Sequence, residues 1–350
     1  PLLMNPTPLM LISITLALGT LITLTSSNWI LMWMGLELNM LAMVPLMMMN
    51  KTNRTTEAAT KYFLVQSTAS MMFMMSIINN LNTTGQWGLM EPKDIITQFL
   101  LMVSMAMKLG LAPFHLWVPE VTQGIPMTLG LILLTWQKLA PITILYQLAP
   151  YLNVNVMMTM SLLSVLLGGW GGLNQTQLRK IMAYSSIAHM GWMTAAMIYN
   201  PAAMMFNLII YIMLTLTMFI TLKNISATTT TSLATSWNIN PLTTLTLMIS
   251  LLSLGGLPPL TGFLPKWYII QELILNNMTT TALVMAMTAL LNLYFYVRLI
   301  YSTSMTMFPM ANTNKLKWLI KSKTNMSMIP TLLMVSSFSL PLSPMIYSMM

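Results

Sequence analysis

Four charged residues lie inside long apolar runs, and their types suit proton chemistry. They are Glu37, Lys108, Lys138 and Lys266. A charge at the centre of a membrane helix costs about 2.5–3.5 kcal/mol on insertion scales, so each of the four needs a compensating role. Burial disfavours the charged forms of Lys and Glu, whereas a nearby opposite charge restores them, so such groups switch protonation when a partner moves. One Glu and three Lys therefore favour a proton relay over a metal site, which needs several carboxylates or carbonyls.

Structural explanations stay open for each of these residues. A Lys near a helix end can extend its stem to the lipid headgroups, which suits Lys108 and Lys266 better than Lys138. Lys138 lies about ten residues, or roughly 15 Å, from either end of its run. For Glu37, the alternative is a hydrogen bond to a neighbouring helix.

Two histidines are further relay candidates, because His is the side chain most easily tuned near pH 7. His115 follows Pro113, and His189 follows the Tyr-Ser-Ser sequence at 184–186. A hydrogen-bonded structural His is the alternative at both positions. Two isolated histidines make a weak case for haem, which needs ligands on facing helices.

Two apolar runs carry helix-breaking residues beside a buried Lys. Pro113 interrupts the run near 107–118, just after Lys108, and a Gly/Pro-rich stretch interrupts the run near 253–267, just before Lys266. Broken helices whose inner ends meet a midplane charge form the ion sites of transporters. Simple proline kinks, which are common in membrane helices, remain the alternative.

The elements that position these residues are membrane helices. Of the 350 residues, 56% are hydrophobic and 6% charged, whereas soluble domains carry about a quarter charged residues. The composition excludes a water-soluble globule and predicts an all-α polytopic protein with one transmembrane domain over 1–350 and polar loops at 223–240 and 303–327. About eleven spans are predicted, near 8–25, 28–49, 60–79, 95–118, 125–148, 154–172, 178–199, 202–222, 242–272, 279–302 and 328–347.

Composition narrows the chemistry further. The 42 methionines and the lack of cysteine suggest the codon usage of an animal-type organellar genome. Without cysteine, the chain has no disulfides, thiolate metal sites or cysteine-ligated clusters. We find no glycine loop for phosphate. The net charge of +9 reflects loops between spans, so we predict membrane topology rather than nucleic-acid binding.

The basic residues segregate to one side of the predicted topology. If the spans alternate from residue 1, the opposite side holds only Lys93 among the basic loop residues. The positive-inside rule makes the residue-1 side the side of synthesis. The side of residue 1 holds Lys51, Arg54, Lys61, Arg179, Lys180, Lys223, Lys315, Lys317, Lys321 and Lys323.

Five segments of the chain carry a resemblance to a known family, and they lie at 57–70, 107–126, 134–142, 168–192 and 255–267. They closely resemble the NADH–ubiquinone oxidoreductase chain 2 family, the mitochondrially encoded subunits of vertebrate respiratory complex I. The resemblance runs nearly end to end and implies an antiporter-like fold that lacks the first three of fourteen helices. It also implies a multi-pass protein of the mitochondrial inner membrane, with its N-terminus on the matrix side and its C-terminus on the intermembrane-space side.

The resemblance implies roles for the buried charges. Glu37 and Lys108 become an ion pair, Lys138 the central relay residue and Lys266 the exit or hand-over residue. The chain is then a subunit of an H⁺-translocating NADH:ubiquinone reductase that holds no cofactor itself. NADH, FMN, iron–sulfur clusters and ubiquinone are expected in partner subunits. The expected partners are other membrane-arm subunits, including adjacent antiporter-like ones, together with membrane lipids and protons; nucleic acid is not expected.

Two other functions use the same residues. A stand-alone cation/proton antiporter would work without NADH-oxidising partners. A structural spacer of the membrane arm would keep its proton-to-electron ratio when Lys138 is replaced by methionine.

Overall fold

A computed structural model of the chain consists of helices and their connections, with no β-strand in the part it describes. The all-α prediction is therefore confirmed. The described residues are 6–50, 52–88, 92, 94–238, 241–305, 330, 331, 333, 334 and 340–342.

The first of two compact units comprises Pro1–Ser164. Within it, α3 packs against α2, α4 and α5, and α7 packs against α1, α2 and α4. Its helices are α1 (Pro6–Thr25), α2 (Trp29–Met47), α3 (Asn53–Thr84), α4 (Ile95–Leu109), α5 (Trp117–Gly124), α6 (Met127–Leu134) and α7 (Trp136–Leu148).

The second unit comprises Val165–Met350, and the boundary falls within α8 (Val154–Gly172). In this unit α13 packs against α9, α10, α12 and α14. The prediction of one domain over 1–350 stays a prediction. The remaining helices are α9 (Leu178–Met197), α10 (Pro201–Ile225), α11 (Thr230–Ala234), α12 (Pro241–Gly255), α13 (Phe263–Leu275) and α14 (Thr279–Ser304).

Helices occupy ten of the predicted spans. Six helical stretches among the described residues are long and apolar enough to cross a membrane. The span predicted near 328–347 lies outside the described residues, apart from a few positions, and so does most of the loop at 303–327. The loop predicted at 223–240 contains the short helix α11.

Local capping chemistry sets the ends of the helices that frame the site. The Thr52 side chain accepts from the Thr55 N–H at 3.3 Å while the Thr55 hydroxyl accepts from the Thr52 N–H at 3.1 Å, which caps the start of α3. Gly110 ends α4 with φ 73°, a left-handed conformation that glycine adopts without a side-chain clash. The chain therefore turns two residues after Lys108.

Each buried lysine lies beside a helix break. The predicted interruption near 107–118 separates α4 from α5, and the one near 253–267 separates α12 from α13, so both are confirmed. A third, unpredicted break falls at Thr135, between α6 and α7, where the Lys138 N–H donates to the Thr135 carbonyl at 3.3 Å. The breaks bring the ends of half-helices, with their unpaired backbone groups, close to the lysines.

Candidate functional site

Lys108 and Lys138 line one cavity in the first unit. Their relative exposures are 7% and 6%. Lys108 lies in the last turn of α4, and Lys138 is the third residue of α7. Residues of α2, α3, α5 and α6 also line the cavity, which has a volume of about 20 Å³ for the centres of water-sized spheres. That volume is enough for water, since one molecule needs about 10–15 Å³ by this measure.

Uncharged polar side chains line the same cavity. Asn39 is 2% exposed, and neither atom of its amide has a hydrogen-bond partner in the described part of the chain. The Gln66 amide donates to the Lys108 carbonyl, and the Tyr62 hydroxyl donates to Gln137, both at 3.5 Å. An unpaired buried polar group costs about 1–3 kcal/mol. Water in this cavity would remove that cost for Asn39.

Glu37 acts on Lys108 through space. The carboxylate and the ammonium interact electrostatically, but no N···O distance between them is within 4.0 Å in the described part of the chain. The Glu37 Oε2 atom is buried and makes no hydrogen bond with a described residue. A small movement of α2 against α4 would therefore change the interaction without first breaking a direct ion pair.

Lys266 lies at the break between α12 and α13 in the second unit. Its ammonium donates to the carbonyls of Gly255 at 2.9 Å and Leu254 at 3.4 Å, and the residue is 7% exposed. These carbonyls belong to the C-terminal end of α12, where the helix dipole favours a cation. A Cβ on Gly256 would lie 2.8 Å from the Lys266 Nζ, so glycine leaves room for the ammonium.

The two histidines occupy different surroundings. His115 is buried in the turn between α4 and α5. It is not among the residues that line the Lys108–Lys138 cavity. His189 is buried in α9, with its ring centroid 5.4 Å from that of Tyr211.

An ion-pair cluster near the start of α3 connects this helix to α5, the helix that follows the break. Lys61 on α3 contacts Glu57 at 2.6 Å and Glu120 of α5 at 2.8 Å. The hydrogen bond from Lys61, together with its charge, lowers the pKa of Glu57. All three side chains are exposed, so the cluster contributes little stability, but it connects α3 to the segment that follows the break.

Three neutral residues of the cavity were not predicted from the sequence: Asn39, Gln66 and Gln137. Each is a neutral amide inside an apolar run, which costs far less in a membrane than a charge. The signal that could have found them is their polarity, because each interrupts an apolar run and Gln137 is adjacent to Lys138.

Family profiles match nearly the whole chain. The profile described as NADH:quinone oxidoreductase/Mrp antiporter, TM, matches residues 26–292, and that of NADH dehydrogenase subunit 2 C-terminus matches residues 293–347. The chain is 59% identical over 342 residues to NADH-ubiquinone oxidoreductase chain 2 of Dasypus novemcinctus, a match that covers 98% of this chain and 99% of that protein. It belongs to the NADH–ubiquinone oxidoreductase chain 2 family.

Other chain 2 sequences and solved structures agree with this assignment. The protein from Bos taurus is 57% identical over 343 residues, which cover 98% of this chain and 99% of that one. A chain of respiratory complex I from Thermus thermophilus superposes with a TM-score of 0.80 at 28% identity, covering 93% of this chain and 77% of that chain. An archaeal membrane-bound sulfane sulfur reductase chain has a TM-score of 0.88 at 17% identity, covering 99% and 76%, and shows the fold alone.

The predicted family and its antiporter-like fold are confirmed. The chain is a multi-pass subunit of a multisubunit membrane complex of the inner mitochondrial membrane. The described residues contain no group of three or more His, Cys, Asp or Glu residues that could hold a metal ion.

Proposed function

We propose that this chain, a core membrane-arm subunit of the proton-translocating NADH:ubiquinone oxidoreductase, moves protons through a relay of Glu37, Lys108, Lys138 and Lys266. The observation that carries the proposal is the cavity that Lys108 and Lys138 share, with its polar walls and room for water. Membership of the family supports the place of the chain in the membrane arm of this complex, and the cavity supports a proton path through Lys108 and Lys138.

The relay works through charge coupling. Two unit charges about 8 Å apart interact by roughly 2 kcal/mol at an effective dielectric constant of 20, which exceeds one pKa unit. A movement that takes Glu37 away from Lys108 therefore favours loss of a proton from the Lys108 ammonium. Water in the cavity passes that proton to the neutral amine of Lys138, whose charge then acts on the next site. Lys266 hands the proton on in the second unit, with His115 and His189 in supporting roles.

In the proposed complex, partner subunits and membrane lipids surround this chain. Electrons pass from NADH to ubiquinone through FMN and iron–sulfur clusters in partner subunits, and adjacent antiporter-like subunits and membrane lipids contact this chain. The N-terminus lies on the matrix side, because the loops rich in Lys and Arg then face the side of synthesis. Its C-terminus lies on the intermembrane-space side.

Replacing Lys138 with methionine in the assembled complex is expected to lower the proton-to-electron ratio. Methionine fills similar space without a titratable group, so NADH oxidation continues in uncoupled vesicles while proton transfer between Lys108 and Lys266 stops. The ratio is measured in coupled vesicles after native electrophoresis has shown the variant in the large NADH-oxidising band.

The control is Lys223→Met, which removes an exposed lysine at the end of α10 and should keep the wild-type ratio. A wild-type ratio for Lys138→Met would contradict the relay and support a structural spacer. Migration of the chain apart from the NADH-oxidising band would support a stand-alone antiporter.

A further inference from the structure

The second unit contains one acidic side chain. Glu272 is the only Asp or Glu between residues 165 and 350 of the sequence. It lies on α13, the half-helix that carries Lys266, six residues further along the chain. Six residues of α-helix span about 9 Å along the axis. Any side-chain carboxylate that receives a proton from Lys266 within this unit must therefore be Glu272.

The Asn200 side chain holds Glu272 in place, and both polar atoms of its amide make hydrogen bonds. The Asn200 Nδ2 donates to the Glu272 Oε1 at 3.0 Å. The Asn200 Oδ1 accepts from the Ala203 N–H at 3.1 Å and so caps the start of α10. Asn200 and Glu272 are both partly exposed, so the carboxylate is fixed on one side while part of the side chain stays accessible.

Both charges on α13 oppose its helix dipole. Lys266 is the fourth residue of the helix, near its positive end, and Glu272 lies three residues before the last residue, near its negative end. A helix normally favours the reverse arrangement, with anions near its N-terminus and cations near its C-terminus. Movement of a positive charge from Lys266 to Glu272 follows the field of the dipole, so the helix favours proton transfer in this direction.

The hydrogen bonds between Lys266 and the end of α12 oppose this proton transfer until the side chain moves away from them. While the ammonium donates to the carbonyls of Gly255 and Leu254, the C-terminal end of α12 stabilises its charge. When the side chain leaves those carbonyls, the ammonium loses that stabilisation and stays near the positive end of α13. The ionisable side chains of the helices packed on α13 are His189, Tyr residues and cations, among them Lys223 and Arg298, so none supplies a competing carboxylate.

We propose that Glu272 accepts the proton that Lys266 releases and passes it to water at the end of α13, with Asn200 as its positioning residue. This inference rests on the proposed relay function. An N–H bond of the Lys266 ammonium breaks and an O–H bond forms on the Glu272 carboxylate, with water carrying the proton between them. The carboxylic acid then loses the proton to water at the membrane surface, which is the intermembrane-space side in the proposed topology.

Glu272→Gln in the assembled complex tests the acceptor. Glutamine keeps the size of the side chain and an oxygen that accepts from Asn200, but it cannot take up the proton. The proton-to-electron ratio in coupled vesicles is expected to fall to that of Lys266→Met, with wild-type NADH oxidation in uncoupled vesicles and wild-type assembly on native gels. The double variant Gln271→Glu, Glu272→Gln restores the net charge one residue away and is expected to stay at the low ratio.

Asn200→Ser tests the positioning role, because serine still caps α10 but lacks the amide donor to Glu272. We expect a lower ratio at unchanged assembly, and no further loss when it is combined with Glu272→Gln. A wild-type ratio for Glu272→Gln beside a low ratio for Lys266→Met overturns the role of Glu272 and leaves the relay standing. Wild-type ratios for both Lys138→Met and Lys266→Met overturn the relay and this inference with it.

Discussion

Replacing Gly262 with alanine is expected to remove most of the chain from the assembled complex. A Cβ at this position would lie 1.8 Å from the Ser253 carbonyl oxygen and 2.7 Å from its carbon. Both atoms belong to the backbone of α12, so no rotation of a side chain relieves the overlap. Overpacking of a protein interior costs about 1–3 kcal/mol when neighbours can shift, and we expect a larger cost where a helix must move.

The measurement is the amount of this chain in the NADH-oxidising band on native gels, together with the rate of thermal inactivation of the extracted complex. Gly255→Ala is the matched control at the same break, because its Cβ would meet the flexible end of Leu293 at 2.8 Å and helical alanine is favourable. Equal amounts of the Gly262→Ala and Gly255→Ala complexes would show that α12 and the start of α13 do not need this close contact.

The same contact explains why the break between α12 and α13 serves Lys266. The close approach of Gly262 to Ser253 brings the chain back beside α12 before α13 begins. Lys266, four residues later, can then reach the carbonyls of Gly255 and Leu254. A sequence rich in Gly and Pro thus produces the break, the break leaves carbonyls unpaired, and the unpaired carbonyls bind the ammonium.

The sequence predicted two of the three breaks because their causes are local. Pro113 and the glycines and prolines between 255 and 265 prevent a regular helix wherever the rest of the chain lies. The break at Thr135 has a weaker local signal. Pro141 is six residues away and lies inside α7, so tertiary packing, which the sequence does not display, decides where the helix divides.

The charged residues of the candidate site could be predicted from the sequence, whereas its neutral polar residues could not. Lys108 and Lys138 attract notice because a charge in an apolar run is costly, and the structure brings both to one cavity. Asn39 is 69 residues before Lys108 in the chain and carries no charge. Its place in the cavity follows from the packing of α2 against α3 and α7, which periodicity alone does not determine.

Replacing Asn39 with leucine is expected to lower the proton-to-electron ratio about as far as Lys138→Met while leaving the amount of assembled complex unchanged. Leucine has nearly the shape of asparagine, but it offers no hydrogen bond to water in the Lys108–Lys138 cavity. Because the Asn39 amide has no hydrogen-bond partner among the described residues, its removal breaks no hydrogen bond within that part of the chain. Loss of a buried amide that has no protein partner is neutral or favourable for folding. The substitution should therefore impair proton transfer without lowering the stability of the fold.

Asn80→Leu is the control for this separation. Asn80 is 1% exposed, lies on α3 of the same unit, and its amide also has no partner in the described part of the chain, but it does not line the cavity. It should keep the wild-type ratio. Combining Asn39→Leu with Lys138→Met should lower the ratio no further than either change alone, because both interrupt one path. Additive losses in the double variant would show that Asn39 acts outside the Lys108–Lys138 path. A wild-type ratio for Asn39→Leu alone would show that proton transfer between the two lysines does not need water held by Asn39.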